Sequence, residues 1–239
     1  MSVSEYIIST APISFVEIVA ALCGIYYFRR NRGDQRTKYF VIFLWITAAV
    51  DILGAYAPIA YFSDYAIFGF VEKTPFRANY WLFNIYVILM FSFYSLYFST
   101  FLRYEWVQRA IRIGVGLFVI AAGINLSQGE VFFSHVSPFS YGVGSLLTLF
   151  VILLFYFELL RSNIILHIRR YLPMYVSVGV MAFILCITPL EFYSGYFNLN
   201  TGNDQYVELR NVILMVTNIF MYSVFSIGFI ICSRRKRSY

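Results

Sequence analysis

Apolar residues in this chain come in seven long runs separated by short polar segments, at roughly 6–28, 39–62, 80–102, 111–126, 139–160, 171–192 and 211–232. Each is close to the roughly 20 apolar residues a helix needs to cross the hydrocarbon core of a bilayer. There, every backbone N–H and C=O must find its partner within the segment. The pattern predicts an all-α bundle of seven transmembrane helices. The connecting segments are too short for a soluble domain, so residues 1–239 read as one integral membrane domain. The first run lacks a basic leader and a small-residue cleavage pattern, so it is expected to remain as a spanning helix and not to act as a secretory signal.

Composition agrees with this reading and closes off the soluble alternative. The chain is 60% hydrophobic, 21% aromatic and only 13% charged, against about 25% charged in an ordinary soluble domain. All but three of the 18 basic residues lie on one side of the predicted helices. Arg29, Arg30, Arg32, Arg36 and Lys38 follow run one; Arg103, Arg109 and Arg112 follow run three; Arg161, Arg169 and Arg170 follow run five; Arg234, Arg235, Lys236 and Arg237 close the chain. Lys73, Arg77 and Arg210 fall on the other side. Positive-inside asymmetry then puts the N-terminus outside and the C-terminus in the cytoplasm, with the plasma (inner) membrane as the expected location. The net charge of +6 is thereby a topology signal, and no nucleic-acid partner is expected. The lipid bilayer is the first partner, and the basic tail has the composition to touch anionic lipid.

Short motifs recur between the two halves. APISF around Pro12 in run one is echoed by SPFSY around Pro138 in run five. PIAYFSDY from Pro58 is echoed by PLEFYSGY from Pro189, and FNIY around Asn84 by TNIF around Asn218. Three matches in the same order suggest a 3+1+3 plan: a first three-helix repeat over 1–102, a linker helix at 111–126 and a second repeat over 139–232. In this plan, and in the asparagines of helices three and seven, the chain resembles the SWEET sugar transporters and their PQ-loop relatives. The resemblance implies transport of a small molecule and a substrate pocket near the midplane lined by Asn84 and Asn218. The chain departs from that family in lacking a Pro-Gln pair in helix one or five, and its prolines lie nearer the outer ends.

Two acids interrupt the apolar runs. At about 1.5 Å per residue, Glu17 and Asp51 each lie roughly 17 Å from the cytoplasmic end of their runs, so on antiparallel neighbours they share one level near the bilayer centre. A charge there costs about 2.5–3.5 kcal/mol by insertion scales, so both should face the protein interior. No basic residue is expected within the membrane to neutralise them. Three outcomes follow from that: a proton held by one of two like carboxyls, hydrogen bonds to Tyr, Ser or Asn, or a bound cation or amine. Pro12, Pro58 and Pro189 each remove a backbone donor and free a carbonyl, which is expected to open an outer vestibule to water. Glu191, with the loop acids Asp64, Glu72, Glu130, Asp204 and Glu208, would make its rim negative and favour a cationic ligand. Ser92, Ser95 and Ser99 form a small-residue stripe on run three, the pattern of close helix packing.

Several chemistries are excluded. Lys38, Lys73 and Lys236 all lie outside the predicted spans, so no retinal Schiff base can form in helix seven and no cofactor is expected. His135 and His167 fall in opposite loops, and Cys23, Cys186 and Cys232 have no metal-ligand spacing, so no metal site is expected. Phosphate-binding glycine loops and nucleophile elbows are absent. Three functions survive: a small-molecule or proton-coupled transporter, a ligand-sensing or accessory membrane subunit that signals through a partner protein, and an intramembrane lipid hydrolase using Glu17 with Asp51. The first is the leading expectation, and it makes the chain a non-enzyme.

Overall fold

The computed structural model describes residues 3–31, 34–128, 131–194 and 204–233. Arg32, Glu130, Arg234, Arg235, Lys236, Arg237 and the side chain of Asp204 lie outside that description. Seven of the described helices are long and apolar enough to cross a membrane, and no strand occurs among the described residues. In chain order the helices are α1 (Val3–Arg30), α2 (Gln35–Gly54), α3 (Tyr56–Phe62), α4 (Tyr80–Ser99), α5 (Glu105–Ser127), the single turn α6 (Val131–Ser134), α7 (Pro138–Leu160), α8 (Leu172–Ser194) and α9 (Asp204–Ser233). Together α2 and α3 form the second span.

Local chemistry sets the helix ends. Asp34 caps α2 by accepting from the Arg36 amide at 3.1 Å and from the Thr37 hydroxyl. Ser137 caps α7 by accepting from the Ser140 amide at 3.2 Å, with Pro138 in the first turn, the helix position that does not need its missing N–H. The second span breaks at Ala55, three residues before Pro58. Proline has no N–H for the Gly54 carbonyl, and Asn79 supplies the missing donor at 2.8 Å. A side chain therefore fills the role the sequence assigned to vestibule water. The fourth span starts at Glu105, ahead of the apolar run, because Val107 and Ile111 turn inward while Arg109 and Arg112 stay exposed. Between α7 and α8 the chain makes a 3₁₀ stretch, Asn163–Arg170, where the sequence suggested only a loop.

The spans pack as a ring. Contacts run α1–α2, α2–α4, α4–α7, α7–α8 and α8–α9, and α9 closes against α1, while α5 packs outside the α4–α7 seam. With loops this short, consecutive spans alternate in direction, so one end of the bundle is rich in arginine and the opposite end is not. Lipid tails are as apolar as leucine, so close packing and interhelical hydrogen bonds hold such a ring together. At the α4–α7 seam Gly144 lies directly under the Phe91 ring, and one turn on, the Ser95 and Thr148 hydroxyls meet at 3.0 Å. Of the serine stripe, Ser95 thus bonds across the seam, whereas Ser99 donates to the Leu96 carbonyl of its own helix at 2.7 Å.

Candidate functional site

The inward face of α1 is a stripe of Glu17, Ala20, Ala21 and Gly24, all buried. Small residues below Glu17 let α2 and α9 approach closely. On α2 the inward stripe is Phe40, Phe43, Leu44, Thr47 and Gly54, and Asp51 continues it one turn beyond Thr47. The two stripes bring the Glu17 and Asp51 carboxyls together, as the depth estimate required, and the Tyr222 hydroxyl of α9 also reaches Glu17. Glu17 is 3% exposed and Asp51 is half-buried.

Three further hydroxyls surround the pair. Tyr94 and Tyr86 of α4 lie within electrostatic reach of Glu17, and Tyr86 also of Asp51. The Tyr86 hydroxyl meets that of Thr47 at 2.8 Å, and Thr47 also donates to the Phe43 carbonyl at 3.1 Å. Toward the arginine-rich end the site is sealed by aromatic rings. Phe40 packs against Phe225 at 5.4 Å and Phe229 at 5.7 Å between centroids, and all three are fully buried. Gly24 makes room for this plug, because a β-carbon there would lie 2.8 Å from Val41 Cγ2 and 3.2 Å from Phe229 Cζ.

The chemistry of the pair follows from its donors. Glu17 Oε2 has no hydrogen-bond partner among the described residues, and ionised carboxylates only accept. Tyr222 can give one proton; a bond between the two carboxyls needs another, carried by one of them. An ion pair among the described residues lies elsewhere: Arg210 Nη2 meets Glu191 Oε1 at 2.5 Å. Arg210, read as a loop residue, in fact lies within the last span. Neutralised by Glu191, it lets α9 begin ahead of the apolar run. It ties α9 to α8, and no described basic residue forms an ion pair with Glu17 or Asp51.

The other expected site residues separate from the pair. Asn84 is buried and fully engaged with the turn before α7. It donates to the carbonyls of Val131, Phe132 and His135 at 3.4, 3.2 and 2.9 Å and accepts from the Ser137 amide at 2.8 Å. Asn218 is half-buried, donates to the Leu214 carbonyl at 2.8 Å and sits one turn from Tyr222 on the same face of α9. Glu191 is buried in its ion pair and is not at an open rim. Pro12 and Pro189 face outward, and Pro58 is half-buried.

Tyr86, Tyr94 and Tyr222 were missed because they belong to a crowd of 21 tyrosines. Depth was the available signal. Tyrosines near helix ends fit the interfacial belt, whereas one near mid-span needs a polar partner inside the protein. Comparison with protein families, with curated proteins and with solved structures finds no match. Fold and site define a multi-pass, seven-helix membrane protein with an acid pair in its core.

Proposed function

We propose that this chain is a proton-coupled small-molecule transporter and that the Glu17–Asp51 pair is its proton site. The observation that carries the reading is the placement of Glu17. It is 3% exposed against a second carboxyl and a tyrosine, with one oxygen lacking a donor among the described residues and no described basic residue paired with it. A site solely for packing would satisfy its acceptors, since an unsatisfied buried polar group costs about 1–3 kcal/mol. A site that loads and unloads a proton must leave room for that proton.

The neighbour pattern supports the same reading. The third span of each proposed triplet meets the first span of the other, α4 against α7 and α9 against α1, which is the two-fold relation a duplicated triplet requires. Tyr222 meets Glu17 across the α9–α1 seam, and transporters place their sites at such repeat interfaces near mid-membrane. The acids themselves are not duplicated, since the corresponding positions of the second triplet are Val143 and Ala182. With the N-terminus outside, the Phe40–Phe225–Phe229 plug closes the cytoplasmic side of the site. Alternate exposure would then require α9 to part from α1 beside Gly24.

The test is proton flux into vesicles holding the purified protein and a pH-sensitive dye, driven by an imposed pH gradient. Flux above that of protein-free vesicles, lost in both Glu17→Gln and Asp51→Asn, is the expected result. Flux equal to that of empty vesicles would remove transport and leave the sensing reading. Flux that both variants retain would move the proton site elsewhere.

A further inference from the structure

We propose a binding site for an anionic phospholipid on the outer surface of α8 and α9, at the arginine-rich end of the bundle. An apolar groove of about 340 Å³ runs between these helices, lined by Met174, Tyr175, Val178, Val224 and Ile227. That volume is within the roughly 300–1,000 Å³ of ligand sites. Ile227 is 49% exposed on the bundle exterior, so the groove opens toward lipid and away from the acid pair. Gly228 shapes it. A β-carbon there would come 2.7 Å from Tyr175 Cβ, so the tyrosine ring can lie across α9 only because the glycine is bare.

Two arginines stand at the mouth. The Tyr175 hydroxyl donates to the Arg169 carbonyl at 3.0 Å, which fixes the end of the Asn163–Arg170 stretch directly over the groove. Arg169 lies within electrostatic reach of Tyr175, and Arg170 within reach of Cys232 at the end of α9. Both arginines are exposed, and no described carboxylate forms an ion pair with either. Leu166, in the same stretch, is 77% exposed, and flanked by arginines it has the mixed character of an interfacial segment. Cations at the headgroup level above a dry apolar groove match one chemistry: a phosphodiester headgroup held by Arg169 and Arg170, with an acyl chain lying along Tyr175, Val178 and Val224.

The full-length protein in detergent, titrated with phosphatidylglycerol or phosphatidylcholine and read by native mass spectrometry, tests this. Phosphatidylglycerol should be retained preferentially. Arg169→Ala with Arg170→Ala should weaken its retention, at about fivefold per arginine. Val224→Trp, or Ile227→Phe if the first variant loses the wild-type unfolding temperature, should weaken retention of both lipids by filling the groove. Arg109→Ala with Arg112→Ala, at the same end but on α5, should leave retention unchanged. The proposal fails if the two lipids bind equally, or if the α5 variant loses as much as the Arg169/Arg170 variant. It also fails if inorganic phosphate alone stabilises the protein as much as phosphatidylglycerol does.

Discussion

Among the described residues two glutamates, Glu17 and Glu191, are buried within the spans of this bundle, and they are treated in opposite ways. Glu191 on α8 has a guanidinium at 2.5 Å and closes a contact between α8 and α9. Glu17 on α1 has a second carboxyl and a tyrosine and an oxygen without a donor. Burial is nearly the same, 6% and 3%, so burial does not distinguish them; the partner does. A neutralised acid holds two helices in one arrangement, whereas an acid facing another acid holds a place for a proton or a cation.

The largest effect should come from breaking the neutralised pair. Arg210→Met removes the guanidinium from Glu191 and should lower stability by about 3 kcal/mol, near the low end for broken buried pairs because the Arg210 side chain is 27% exposed. Thermal unfolding in detergent measures it, and adding Glu191→Gln should restore part of the loss. If Arg210→Met unfolds like the wild type, Glu191 is not held by charge.

Next in size is Asn84→Ala. It removes the side chain that satisfies three carbonyls and one amide of the turn before α7, at a cost of about 1–3 kcal/mol. Hydrogen exchange should rise first over residues 131–137.

Tyr222→Phe should cost about 0.6 kcal/mol, the usual worth of a side-chain hydrogen bond within a membrane protein. Smallest of all, Glu17→Gln should leave stability unchanged or slightly raised, since its amide can donate to the Asp51 carboxylate without a bound proton, while proton flux is lost. A glutamine at 17 that destabilises as much as Arg210→Met would put both glutamates in the same structural class.

The sequence made the architecture legible, because seven runs of spanning length leave few alternatives. Counting residues from the run ends also placed Glu17 beside Asp51, since depth in a straight helix is linear in residue number. Partner choice was not legible. Arg210 looked like a loop residue because its run begins at the next apolar position, and only the approach of α8 to α9 reveals that Glu191 draws it inward. Asn84 looked like a pocket residue through the resemblance to the SWEET family, but its partners are backbone groups contributed by a turn some 50 positions away. Tyr222 shared the same obscurity, since nothing in run seven marks which of its side chains faces α1.

The central claim is that Glu17 and Asp51 form a site that exchanges a proton with water. Difference infrared spectroscopy of the protein in nanodiscs, with Asp51→Asn as the assignment control, tests it most directly. The account predicts a carboxyl band that titrates within the pH range over which the protein stays folded, and that shifts in Asp51→Asn. Carboxyl bands that stay silent across that range, with Asp51→Asn as stable as the wild type or more so, would contradict it and make the pair interhelical packing.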